Sequence, residues 1–111
     1  MARAERGMSA PPEVVFNTAT DPDRLSTWLP APLRPRGAAE PETTTSVLRA
    51  RWSSGGAPGW SARLQVWPID AGGATVRLEL EADPPDHRLR EIADESLASL
   101  AQQVADNLSP G

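Results

Sequence analysis

The longest regular pattern in the chain covers residues 86–108, where apolar side chains recur every three or four residues. These side chains share one stripe of an α-helix and are Leu89, Ile92, Ala93, Leu97, Leu100, Val104 and Leu108. The opposite face is charged or polar, and neither Gly nor Pro interrupts the segment before Pro110. At ~1.5 Å per residue the helix would be about 34 Å long, against about 30 Å for a nine-residue strand. The segment therefore predicts a helix that crosses a whole sheet, with the rest of the chain packed against it.

Three segments, residues 43–53, 60–68 and 74–82, alternate between apolar and polar positions, as strands with one buried face do. The inward positions are Leu48, Ala50, Trp52, Ala62, Leu64, Val66, Val76, Leu78 and Leu80. The outward positions include Arg49, Arg51, Arg63, Arg77, Glu79 and Glu81, which we interpret as a solvated face with cross-strand ion pairs. Turn-forming residues separate the segments. The pattern predicts an antiparallel sheet whose apolar face is covered by the C-terminal helix.

The first 42 residues predict shorter elements. A weak alternation over residues 2–9 predicts a short first strand, and the Pro-Pro-Glu run that follows predicts a helix that ends near Thr20. Asp21 is expected to cap a second short helix, with Pro22 in its first turn and Pro30 at its end. The Pro-rich residues 30–42 predict a stiff connection, with a short edge strand near Leu33.

Composition narrows the classes of function. The 111 residues predict a single domain, 1–111, that buries roughly 65% of its unfolded surface. The net charge of −4 and the lack of a basic block disfavour nucleic acid as a partner. With no cysteine and His87 as the single histidine, we expect no metal and no cofactor. No apolar leader and no apolar run of ~20 residues is found, so we expect a cytoplasmic monomer or homodimer without a membrane span.

The N-terminal part of the chain resembles a known superfamily. The residues concerned are Met-Ser-Ala-Pro-Pro-Glu-Val-Val-Phe at 8–16, Thr-Asp-Pro-Asp-Arg-Leu at 20–25 and Trp-Leu-Pro at 28–30. They resemble the opening of the START-like (SRPBCC) superfamily, of the polyketide cyclase/dehydrase and lipid-transport type. The resemblance implies a reduced α+β helix-grip (Bet v 1-like) fold, in which a curved antiparallel sheet grips the C-terminal helix around an apolar cavity. Members commonly have six or seven strands, whereas four or five are counted here, which limits the room for a cavity.

The candidate site lies between the sheet and the C-terminal helix. Four tryptophans occur in a chain with one Phe and no Tyr. Trp28, Trp52 and Trp60 are expected to offer flat contacts to a ligand. The interior of the site is expected to be lined by Leu64, Val66, Leu78, Leu97 and Leu100. The alternative is a small core that uses these large side chains to fill itself.

The function that we predict is non-catalytic binding of a small hydrophobic or aromatic molecule. The inward set contains no acid–base group, which argues against catalysis and leaves no catalytic residue to name. One alternative is a polyketide cyclase-type enzyme that orients a reactive chain in an apolar pocket. Another is an interaction module with a filled core that works through the Trp67 side of the sheet.

Several other residues have two possible interpretations. His87 is a possible general base, but we interpret it as a solvated residue at the start of the helix. Asp21 and Asp23 are better explained by capping than as a catalytic pair. The arginines at positions 49, 51 and 63 either hold an anionic head group or, as we prefer, belong to the solvated face of the sheet.

Overall fold

The structure, a computed structural model, describes residues 2–21, 23–30, 42–53, 59–83 and 86–108. Within these ranges the chain forms five strands and three α-helices. In chain order they are β1 (Ala2–Met8), α1 (Pro12–Thr20), α2 (Leu25–Trp28), β2 (Glu42–Thr44), β3 (Arg49–Ser53), β4 (Gly59–Pro68), β5 (Ala74–Asp83) and α3 (Leu89–Leu108). Single 3₁₀ turns occupy Thr45–Val47 and Asp70–Gly72.

The five strands form one antiparallel sheet in the order β1-β5-β4-β3-β2. The two ten-residue strands β4 and β5 pair along their whole length and form its centre. The first strand joins β5 with Ala4 opposite Leu78, so its apolar residue adds to the inner face. The predicted antiparallel sheet and its short first strand are therefore confirmed.

The prediction of one continuous strand over residues 43–53 was wrong. The segment forms a hairpin in which β2 pairs with β3, with Thr43 opposite Ala50. The chain reverses through the 3₁₀ turn and through Leu48, whose φ of 49° lies in the left-handed region. Non-glycine residues seldom adopt this conformation, so the sequence carried no turn signal there. The polar run before Leu48 has no inward side chain to bury, and it pairs as an edge strand instead.

The second helix begins later than predicted. Asp21 does not cap it: its Oδ1 accepts a hydrogen bond from the Asp23 N–H at 2.9 Å, and α2 starts at Leu25 after Arg24. The short carboxylate forms a local turn in competition with the helix. Pro22, residues 31–41 and the edge strand expected near Leu33 lie outside the described residues.

The long C-terminal helix packs on the inner face of the sheet. It contacts β1 and β5, and the two short helices pack against it. Asp86 Oδ1 accepts a hydrogen bond from the Arg88 N–H at 2.8 Å, which forms a local turn of the same kind as that at Asp21, and the helix begins after it, at Leu89. The α+β helix-grip architecture is thus confirmed. None of the helices within the described ranges has the length and apolar character needed to cross a membrane.

Candidate ligand-binding site

Two tryptophans from different elements meet in the core. Trp28 on α2 and Trp52 on β3 lie edge to face, with ring centroids 5.5 Å apart and ring planes at 80°. Both side chains are buried. The Trp28 Nε1–H donates a hydrogen bond to the Ala19 carbonyl oxygen at 3.2 Å, so this ring is held by the end of α1. The contact joins the helical layer to the sheet at one place.

A third tryptophan extends this cluster toward one end of the sheet. Trp52 on β3 lies opposite Ala62 on β4. Trp60 lies two residues before Ala62, near the start of β4, and is opposite Ala82 on β5. Trp60 is also buried, at 8% exposed. Both tryptophans have the inward orientation expected, and the register places them at the end of the sheet where β3 ends and β4 begins. We name Trp28, Trp52 and Trp60 the aromatic cluster.

The indole nitrogen of Trp52 is buried and has no hydrogen-bond partner among the described residues. The residue as a whole is only 5% exposed. An unpaired buried donor costs about 1–3 kcal/mol. Such a donor is uncommon in folded proteins and calls for an explanation, for example a ligand oxygen that accepts its hydrogen. No property of the sequence distinguishes this nitrogen from that of Trp28, which does have an acceptor.

The aliphatic residues expected to line the site lie in the same core cluster. Leu64 and Val66 come from β4, Leu78 from β5, and Leu97 and Leu100 from α3, and each is at most 2% exposed. The sheet and the helix thus bring all eight candidate residues into one apolar region. Their side chains pack against one another as a core does.

The buried polar side chains within the described ranges are Thr18 and Ser96. Thr18 Oγ1 donates to the Val14 carbonyl at 2.8 Å and accepts from Asn107 Nδ2 at 3.1 Å. Ser96 lies on α3 and is 5% exposed, so its hydroxyl is a second buried polar group. The buried side chains of the described residues therefore include no acid and no base.

The remaining candidates lie away from the core. His87 is exposed before the first turn of α3, and Asp23 is exposed in the loop before α2. Trp67 lies on the outer face of the sheet as expected, where the Arg77 guanidinium stands over its ring at 4.7 Å from the centroid. Its ring is therefore partly covered by this chain's own arginine.

The chain is similar to several solved structures. No protein-family model matches the chain, and no curated protein matches it. A protein of Thermus thermophilus superposes with a TM-score of 0.71 at 22% identity, over 97% of this chain and 99% of that one. A norcoclaurine synthase mutant of Thalictrum flavum, solved with a transition-state analogue, gives a TM-score of 0.67 at 8% identity, over 96% and 94%.

A third similar structure belongs to a larger protein. The di-domain ARO/CYC protein StfQ of the steffimycin biosynthetic pathway gives a TM-score of 0.64 at 18% identity. The match covers 96% of this chain and 44% of StfQ, so this chain corresponds to about half of that protein. These superpositions span nearly the whole of this chain, and they agree with the element order and the sheet topology above. The chain has the Bet v 1-like helix-grip fold.

Proposed function

We propose that this protein binds a small hydrophobic or aromatic molecule, without catalysis, between the sheet and α3 at the aromatic cluster. The observation that carries the proposal is the unpaired, buried N–H of Trp52. A ligand with a carbonyl or hydroxyl oxygen at this point would accept that hydrogen and remove the cost of leaving it unpaired. Its apolar part would lie against Trp28 and Trp60, and against the leucine and valine side chains that follow along the sheet.

The chemistry of the buried residues favours binding over catalysis. General acid–base catalysis needs a titratable group within hydrogen-bond reach of the reacting atom. The buried polar side chains of the described ranges, Thr18 and Ser96, are both hydroxyls, and Thr18 is already paired. A polyketide cyclase-type enzyme, which would orient a reactive chain by proximity, is the alternative function for the same apolar region.

The test measures binding of a panel of aromatic and acyl compounds, each with and without a carbonyl or hydroxyl oxygen, by isothermal titration calorimetry. Native mass spectrometry of the untreated protein searches for a co-purified compound. We expect saturable binding of an oxygen-bearing member. The change Trp52→Phe keeps an aromatic ring and removes the donor, so it should weaken that binding about fivefold, as the loss of about 1 kcal/mol implies.

The matched control is Trp67→Phe, the same chemical change on the outer face of the sheet. It should leave the affinity within about twofold, because Trp67 does not face the core. Leu97→Trp places extra volume in the apolar region between the sheet and α3 and should abolish binding in a protein that still folds. If no compound binds and Leu97→Trp merely destabilises the protein, the core is filled and an interaction module becomes the better explanation.

A further inference from the structure

The outer face of the sheet contains a depression that is unrelated to the aromatic cluster. It has a volume of about 250 Å³ and crosses the three central strands. Its walls are formed by Arg49, Arg63, Leu64, Gln65, Arg77 and Glu79. The Leu64 side chain is fully buried on the inner face, so this residue lines the depression through its backbone. The depression therefore presents three guanidinium groups, one amide and one carboxylate to solvent.

The strand register explains why these groups lie together. Arg49 on β3 lies opposite Gln65 on β4, which in turn lies opposite Arg77 on β5. In the next row of outward residues, Arg63 lies opposite Glu79. Neighbouring strands are ~4.8 Å apart, so side chains of two adjacent rows on three strands fall within reach of one small ligand.

Most of the donors on these arginines are unused within the described residues. Arg49 Nη2 donates a long bond of 3.4 Å to Gln65 Oε1, and the Arg63 side chain has no hydrogen-bond or ion-pair partner there. Arg77 differs, because its Nε pairs with Glu5 Oε1 at 2.8 Å and its guanidinium stacks on Trp67. These contacts hold Arg77 in one position, and a guanidinium fixed in this way keeps its other N–H groups available for a ligand.

The register also places two like charges opposite each other. Arg51 on β3 lies directly across from Arg63 on β4, and such pairs destabilise a sheet. A chain selected only for a solvated outer face would gain by placing an acid at one of these positions. The excess of positive charge on β3 and β4 stands out in a protein whose net charge is −4. An anion bound at this face would offset the repulsion.

We propose that this depression binds a compact, phosphate-bearing small molecule. A guanidinium fork matches the oxygens of a phosphate group, and a phosphate monoester carries about −1.5 to −2 charges at neutral pH. Arg49 and Arg63 would approach it from one side and Arg77 from the other, while the Gln65 amide donates between them. Glu79 lies opposite Arg63 in the same depression, and its carboxylate opposes the bound anion. The site is independent of the function proposed above and lies on the opposite face of the same strands.

The test titrates the full chain with pyrophosphate by isothermal titration calorimetry, at about 20 mM and about 150 mM salt. We expect saturable binding with one site per chain that weakens at the higher salt. Arg63→Gln should weaken the affinity at least tenfold, and Glu79→Gln should strengthen it. Arg63→Lys keeps the charge without the fork and should give an intermediate affinity.

The matched control is Arg90→Gln, which makes the same change of net charge on an exposed position of α3. It should leave the affinity within twofold. Equal losses of affinity for Arg63→Gln and Arg90→Gln would overturn the proposal, because they would mean that pyrophosphate responds only to the net charge of the protein. Absence of saturable binding would also overturn it, and citrate binding as tightly as pyrophosphate would overturn the assignment to phosphate. Thermal unfolding of each variant shows that an altered affinity does not come from loss of the fold.

Discussion

Leu100→Ala tests whether α3 is packed on the sheet as closely as its burial indicates. Leu100 is fully buried on the inner face of α3. Removing three carbon atoms costs about 2.4 kcal/mol of transfer free energy, at ~0.8 kcal/mol for each. In a closely packed core the cavity left behind raises the loss to about 3–5 kcal/mol. Since Ala favours helices at least as well as Leu, helix propensity does not contribute to the loss.

Urea unfolding, followed by circular dichroism and by tryptophan fluorescence, measures this loss. A loss of about 3–5 kcal/mol corresponds to a melting temperature lower by roughly 12–20 °C in a chain of this size. Arg90→Ala, at an exposed position of the same helix, is the control and should change the free energy of unfolding by at most about 0.5 kcal/mol. A loss below about 1 kcal/mol for Leu100→Ala would refute the reasoning, because it would mean that α3 does not pack closely on the sheet there.

Two further predictions concern single contacts, both measured as the free energy of unfolding in urea. Gly73→Ala would place a Cβ 2.9 Å from the Met8 carbonyl oxygen and should cost about 1–3 kcal/mol, whereas Gly7→Ala meets no atom within 4 Å and should be neutral or stabilising. Equal effects of the two changes would contradict this reasoning. Arg24→Ala removes a 3.0 Å bond to Gln103 Oε1 that ties the start of α2 to α3, and should cost about 1 kcal/mol. No measurable loss would mean that this bond does not stabilise the fold.

The parts of the fold that follow from side-chain burial were predictable. Buried positions recur every 3.6 residues in a helix and every two residues in a strand. Because buried positions exclude charged residues, this spacing is visible in the sequence. The inward positions Leu64, Leu78 and Leu97 were identified in this way, and all are buried. The resemblance of the N-terminal residues added the helix-grip topology, which no periodicity of the strands alone specifies.

The hairpin at residues 42–53 and the late start of α2 were not predictable, for a different reason. Each depends on a local backbone conformation that the residue types at these positions do not predict. Leu48 adopts a left-handed conformation that normally indicates Gly or Asn, and Asp21 forms a local turn in place of a helix cap. Strand register was equally hidden, so the approach of Arg49 to Arg77, far apart in the chain, could be seen only in the structure.

The buried indole nitrogen shows why a site is harder to predict than a core. Sequence parity identified Trp52 as an inward residue, but an inward tryptophan is ordinary when its N–H reaches an acceptor, as that of Trp28 does. What makes Trp52 informative is the missing acceptor, which depends on the position of every neighbouring atom. This property of Trp52 therefore depends on the packing of the folded chain and cannot be read from the sequence.

The two ends of the inner face differ in the type of their paired side chains. Away from the aromatic cluster, Val66 lies opposite Val76 and Leu64 lies opposite Leu78, so two aliphatic side chains meet and fill the layer beneath α3. At the other end, Trp52 and Trp60 each lie opposite an alanine. A tryptophan with an alanine fills at least as much of the layer as two valines do, so the distinction of this end is its flat ring surface and the unpaired Trp52 N–H. Under the function proposed above, the ligand would therefore lie at the tryptophan end, where this donor is, rather than along the whole of α3.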